Sequence, residues 1–160
     1  APTLATVATS GSYTDLSNKL TQADIAESAL SLYGADLTGA DLTYAYLTSA
    51  TLIDANLTNA NLSGVILTNA NLTDADLTNA ILTSAILTNA YLTGANLTNA
   101  YIRGAILVGA DLTNADLTGA NLTEAYLTNA ILTGVTWTGA YIENCTGCTC
   151  TDNNNDYICD

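Results

Sequence analysis

Residues 55–79 read ANLTN ANLSG VILTN ANLTD ADLTN, which is five consecutive units of five residues. The same spacing runs from Ala35 to Asn144 without a break in register, giving 110 residues or 22 units. The first position of a unit is Ala in all but two units, and the third is Leu in all but three. Repetition this strict at a fixed period decides the fold before local propensities do.

A period of five residues fits neither the 3.6-residue repeat of an α-helix nor the alternation of a flat strand. It fits a chain that turns a corner once per unit, with the small Ala and the bulky Leu inside and the polar positions outside. Four such sides close a square coil of 20 residues, and successive coils stack at roughly 4.8 Å. The repeat therefore predicts an all-β coil whose axis is filled by side chains.

The units resemble those of the pentapeptide repeat family, whose consensus is Ala-(Asp/Asn)-Leu-x-x. The match is clear in units such as 55–59, 75–79 and 95–99 and covers residues 35–144. The resemblance implies the family fold, a right-handed quadrilateral β-helix, here of about five and a half coils and about 26 Å long. Family members often have Phe at the central position, where this chain has Leu, a difference that concerns core packing.

The two ends are less regular, so the sequence predicts four segments. Residues 1–14 are rich in Thr and Ala and are interpreted as an extended arm. Residues 15–34 form either three degenerate coil sides followed by a two-residue insertion, or a short helix that ends at Gly34. Residues 35–144 form the β-helix, and residues 145–160 form a cysteine-rich C-terminal cap.

Residues 20 positions apart stack on one face of a four-sided coil, so the outward positions sort into four faces. The first face holds the units that start at Ala35 and every 20 residues after it. The second, third and fourth faces start in the same way from Ala40, Ala45 and Ala50.

The third face carries no acidic residue, and its outward column forms an apolar stripe. We define the third-face ladder as Tyr46, Ile66, Ile86, Ile106 and Tyr126, and the second face adds Ile81 and Tyr101. A five-rung apolar stripe about 19 Å long is unusual on a soluble monomer and marks an interaction site. We expect these seven residues to be covered by the chain's own termini or by another copy, and another copy is the preferred partner.

The first face is polar instead. Its equivalent column alternates Asp36, Asn56, Asp76, Asn96 and Asp116, and an unbroken Thr column runs beside it from Thr38 to Thr138. Regular Thr arrays are typical of ice-binding surfaces, but those surfaces are flat and uncharged. We therefore interpret this face as a solvated amide and carboxylate ladder rather than as a cation site, a DNA-like charge array or an ice-binding plane.

Composition excludes several classes of function. Fifteen acidic residues face only Lys19 and Arg103, for a formal charge of −13, so phosphates and anionic membranes are not expected partners. The chain has no His, no nucleotide-binding Gly motif and no pocket expected in a filled coil, so we predict that it is not an enzyme. The chain has no run of about 18 consecutive apolar residues, so we predict no membrane span.

The four cysteines all lie in the C-terminal cap. Cys145, Cys148, Cys150 and Cys159 are predicted to form two disulfides of open connectivity, with a four-thiolate zinc site as the alternative. Their oxygen-rich neighbours form a weak calcium candidate, and otherwise no cofactor is expected; that candidate comprises Asp152, Asn154, Asp156 and Asp160. With Ala1 as first residue, the cysteines indicate a secreted, periplasmic or other oxidising location.

The sequence thus favours a non-enzymatic extracellular structural or assembly protein. A rigid rod would self-associate into an oligomer or filament through the third-face ladder and its termini. The alternative follows from the resemblance, since some pentapeptide repeat proteins are acidic mimics of DNA that bind DNA gyrase and confer quinolone resistance. The coil itself has nine acidic residues and one Arg, a net charge of −8.

Overall fold

The structure is a computed structural model that describes residues 30–150 and 158–159. Over residues 30–150 the chain is an all-β coil without any α-helix, built from single-residue bridges rather than longer strands. Each bridge joins a residue in parallel to the residue 20 positions later, from Ser31–Thr51 to Tyr126–Thr146. The predicted four-sided coil of 20 residues is confirmed.

Hydrogen bonds between coils hold this register. The Asn56 N–H donates to the Ala35 carbonyl of the preceding coil at 2.9 Å, and the Leu57 N–H donates to the Asp76 carbonyl of the next coil at 2.7 Å. The fifth residue of the unit, Asn59, also donates to the next coil. Three of the five N–H groups in this unit therefore bind neighbouring coils.

A tight turn forms each corner. The Ala60 N–H donates to the Leu57 carbonyl at 3.0 Å across the corner. The fifth residue of every unit from 30–34 to 140–144 has a positive φ, as at Asn59 with φ 59°. This left-handed conformation at the third residue of a turn suits Gly and Asn, which explains why these residues dominate the fifth position.

The core is a solid column of Ala and Leu. From Ala40 to Leu127 every first and third residue of a unit is at most 3% exposed. The last coil is more open, because Leu132, Val135 and Trp137 pack against the column but are only partly buried. The interior offers tight packing rather than a cavity along this stretch.

The coil starts earlier than the repeat boundary at Ala35. Leu30 and Leu32 are buried, Leu32 binds the Thr51 carbonyl at 2.7 Å, and Gly34 has φ 59° as a corner residue. Residues 30–34 are therefore an ordinary side of the coil, neither an insertion nor the end of a helix. Residues 30–144 make 23 units. The predicted arm 1–14 and residues 15–29 lie outside the described residues.

At the other end the chain folds back on the last coil. Ile158 pairs antiparallel with Tyr141, and Cys159 exchanges hydrogen bonds at 2.8 Å with Gly139 and Ala140. Disulfides join Cys145 to Cys148 and Cys150 to Cys159, so the four cysteines form the two predicted disulfides rather than a four-thiolate zinc site.

Gly147 lies in a bend after the last corner, where no side chain fits. A Cβ there would lie 2.8 Å from both the carbonyl carbon and the oxygen of Leu127, whereas a Cβ at Gly139 would meet open space. Both residues have positive φ. We expect Gly139→Ala to cost about 1–2 kcal/mol for the left-handed backbone alone.

Gly147→Ala should lower the free energy of unfolding by about 1–3 kcal/mol more than Gly139→Ala, because backbone must move to relieve the overlap. Thermal unfolding followed by circular dichroism measures both variants. Equal losses would mean that the bend at Gly147 does not pack against Leu127 as described.

Candidate interaction faces

One N–H group per unit remains after the bonds between coils and across the corner. It belongs to the fourth residue, and the side chain two positions earlier accepts it wherever that residue is Asp or Asn. Thr58 N–H donates to Asn56 Oδ1 at 3.0 Å, and Thr78 N–H donates to Asp76 Oδ1 at 2.9 Å. The Thr78 hydroxyl also donates to Asp76 Oδ1, at 2.5 Å. We call this arrangement the Asx cap.

Ten Asx caps occur among the described residues, one for every Asp or Asn that precedes a central Leu. Five lie on the first face, three on the second, two on the fourth and none on the third. The acidic and Thr columns of the first face are thus engaged with each other. This gives both columns a structural role and engages the hydroxyls of Thr38, Thr78, Thr98 and Thr118.

The caps also set the acidity of some carboxyl groups. The hydroxyl of Thr113 donates to Asp111 at 2.6 Å, and this bond, followed by that of the Thr113 N–H, holds the pKa of Asp111 below its usual 3.8. The same kind of donor pair lowers the pKa of Asp36 and Asp41. These carboxylates therefore stabilise the fold above the usual pKa, and that stability is lost as the pH falls through the lowered value.

Asp76 allows the cap to be tested without the charge. Asp76→Asn keeps an acceptor for the Thr78 N–H, whereas Asp76→Ala leaves that N–H without its partner. We expect Asp76→Ala to be about 1 kcal/mol less stable than Asp76→Asn. Urea unfolding curves of the two variants measure the difference, and coincident curves would contradict the role of the cap.

The third-face ladder forms one continuous row. Parallel bridges link Tyr46 to Ile66, Ile66 to Ile86, Ile86 to Ile106 and Ile106 to Tyr126. The two tyrosines at its ends are the most exposed members, at 38% and 51%, while Ile66 and Ile86 are half-buried by their neighbours. The five residues are therefore brought together on one side of the rod.

Ile81 and Tyr101 lie in a separate row. They bridge each other on the second face, between Asn61 and Asn121, and are 38% and 54% exposed. The structure therefore does not join them to the third-face ladder. Two further exposed aromatic residues, Tyr33 and Tyr44, stand at corners where their position in the repeat indicated only turn formation.

The third face also carries backbone donors that sequence reasoning missed. Within residues 30–150, no group accepts a hydrogen bond from the N–H of the fourth residue on any of its five rungs. We call these the third-face amides; they belong to Thr48, Thr68, Thr88, Val108 and Thr128. The sequence feature that could have predicted them is local, since the residue two positions before each of them is Tyr or Ile instead of Asp or Asn.

Metal binding has no visible support in the described part of the chain. There, no group of three or more Cys, Asp or Glu residues could hold a metal ion. The calcium candidates Asp152, Asn154, Asp156 and Asp160 lie outside the described residues. Among those described, no helix could cross a membrane.

A profile of the family described as pentapeptide repeats matches residues 31–69, 70–109 and 95–134, with eight copies of the repeat. This chain belongs to the pentapeptide repeat family. The family fold is the right-handed quadrilateral β-helix, so the predicted family and fold class are both confirmed. Proteins of this family are in general structural or interaction proteins rather than enzymes.

Solved structures of other pentapeptide repeat proteins are similar to this chain. HetL from the cyanobacterium Nostoc, which is involved in regulating heterocyst differentiation, is 37% identical with a TM-score of 0.56; the match covers 73% of this chain and 56% of HetL. A protein from the Arabidopsis thaliana thylakoid lumen is 30% identical over 75% of this chain and 71% of its own, with a TM-score of 0.34.

QnrB1, a plasmid-mediated fluoroquinolone resistance protein, is more distant. Its full-length structure is 16% identical over 75% of this chain and 78% of its own, with a TM-score of 0.31. A likeness of this size carries no argument about function. No curated protein sequence matches this chain.

Proposed function

We propose that this pentapeptide repeat protein is a non-enzymatic rod that self-associates through its third face. The observation that carries the proposal is the coincidence of two features on that face alone. It combines a continuous ladder of exposed Tyr and Ile with five consecutive backbone N–H groups that have no partner among the described residues. A second copy could bury the ladder and supply acceptors to the amides.

The distribution of charge supports a second copy meeting this face. The first, second and fourth faces of the coil carry three acidic residues each, and the third carries none; the acids are Asp36, Asp76 and Asp116, then Asp41, Glu124 and Glu143, then Asp54, Asp74 and Asp111. Two like-charged rods repel each other least when they approach through the face without carboxylates. A foreign cationic partner would instead bind one of the other three faces.

The two disulfides support an oxidising location for this assembly. Cys145–Cys148 and Cys150–Cys159 tie the last coil and the returning segment together. Such bonds persist outside the reducing cytosol. We therefore place this non-enzymatic rod in an extracellular or other oxidising compartment, where its role would be structural.

Ile86 and Thr58 provide a matched pair of variants. Ile86→Lys puts a charge in the centre of the ladder, whereas Thr58→Lys adds the same charge on the first face and keeps the Thr58 backbone N–H available for its cap. We expect Ile86→Lys to abolish association and Thr58→Lys to leave it intact or strengthen it slightly by lowering the net charge. Sedimentation velocity over a range of protein concentrations measures both.

Salt gives an independent control in the same experiment. Screening weakens repulsion between the acidic rods, since the Debye length falls from about 30 Å at 0.01 M to about 10 Å at 0.1 M salt. Association through the third face should therefore tighten as salt rises. A wild-type protein that stays monomeric at all salt concentrations, or an Ile86→Lys variant that associates normally, would contradict the proposal.

The acidic mimic of DNA is the second candidate, and the nine carboxylates on three faces favour it. Binding to DNA gyrase through these groups would weaken with added salt, the opposite of the trend proposed for self-association. A gyrase supercoiling assay tests this candidate. Inhibition at micromolar protein would support it, and no inhibition would remove it.

A further inference from the structure

We infer that two copies pair through the third face in an antiparallel, two-fold arrangement centred on Ile86. This inference rests on the proposed self-association and specifies its geometry. It makes the assembly a closed dimer instead of a filament, because an isologous contact uses the same patch on both partners and leaves none free.

The ladder itself has the symmetry of such a contact. Read along the rod it is Tyr, Ile, Ile, Ile, Tyr, so it is unchanged when its direction is reversed. A two-fold axis across the face at Ile86 places Ile86 opposite itself, Ile66 opposite Ile106, and Tyr46 opposite Tyr126. Each residue then meets one of its own type, and the more exposed tyrosines cover each other at both ends.

The order of residues within each side separates this arrangement from a parallel one. The ladder residue precedes the central Leu, while the amide-bearing residue and the corner residue follow it, so the ladder lies toward one edge of the face. A two-fold axis along the rod would exchange the two edges and set the ladder against the Thr column. An axis across the rod leaves each column on the same edge and sets ladder against ladder.

The same axis brings the other columns into register. Thr88 faces Thr88 and Thr48 faces Thr128, so the hydroxyl groups of one copy lie opposite these third-face amides of the other. Val108, which has no hydroxyl, faces Thr68, so at that pair of rungs only the amide of Val108 lies opposite a hydroxyl. In the corner column Asn89 faces its own copy. Hydroxyl and amide oxygens are acceptors that this face can offer without a charge.

The size of the patch sets the expected strength. Five rungs with three outward positions each give fifteen residues per copy, whereas a standard stable interface uses about 20–30 per partner. The dimer therefore belongs to the weak, transient class, and it should be studied at high protein concentration and with enough salt to screen the charge.

Single spin labels at the two ends of the third face test the geometry. Ser49 and Asn129 are corner residues of the first and fifth coils, both at positive φ, and the described cysteines are all paired, so Ser49→Cys and Asn129→Cys each add one labelling site. Spin-labelled variant at natural isotope abundance is mixed with ¹⁵N-labelled wild-type protein. Only contacts between copies can then broaden the observed amide signals.

A label at position 49 should remove most of the signal intensity around Thr128 of the other copy and spare Thr48. A label at position 129 should do the reverse. If the label at position 49 instead broadens the signals around Thr48 of the other copy, and the label at position 129 those around Thr128, the copies are parallel. The inference is then wrong, although the self-association stands. If sedimentation of the same samples shows only monomer and no amide is broadened, both the inference and the proposed function fail.

Discussion

The corner that recurs every five residues is the constraint on which the rest of this molecule depends. Its left-handed fifth residue, exemplified by Asn59, turns the chain so that the next Ala N–H reaches the central Leu carbonyl. Four corners return the chain above its starting point, which puts residues 20 apart into hydrogen-bonding register. The buried column of Ala and Leu then follows from the inward positions, and the four outward faces follow from the rest.

The bonds between coils and across the corner use four of the five N–H groups in a unit. The identity of the second residue then decides whether the remaining N–H, that of the fourth residue, has an acceptor. An Asp or Asn such as Asp76 caps it and satisfies the donor within its own unit. A Tyr or Ile such as Ile86 cannot, and leaves the donor for a partner. The second residue thus accounts for the backbone hydrogen bonding and much of the hydropathy of the third face, and its lack of charge also requires uncharged fourth and fifth residues.

Much of the architecture can be predicted from the sequence, because a period of five and a filled axis permit few alternatives. The faces and the third-face ladder follow by counting in steps of 20. The start of the coil was harder to place, since Leu30 stands where the repeat has Ala, and Tyr33 where it usually has Thr. The structure needs only a buried Leu32 and a Gly34 at positive φ to form that side.

The site was less predictable than the fold. The Thr column of the first face suggested a surface feature, but five of its six N–H groups and four of its hydroxyls bind the neighbouring Asp and Asn side chains. The disulfide pairing depends on the chain folding back so that Cys159 reaches the last coil. A partner that fits the third face leaves no mark on the sequence of a single chain beyond the absence of acids and caps.

Amide hydrogen exchange, measured by NMR at two protein concentrations, tests the central claim that the third face is an uncapped binding face. The account predicts that the third-face amides exchange much faster than capped amides such as that of Thr78 in dilute solution. It also predicts that they alone become protected when the protein is concentrated. Equal exchange of capped and uncapped amides, or no gain in protection on concentration, would contradict it.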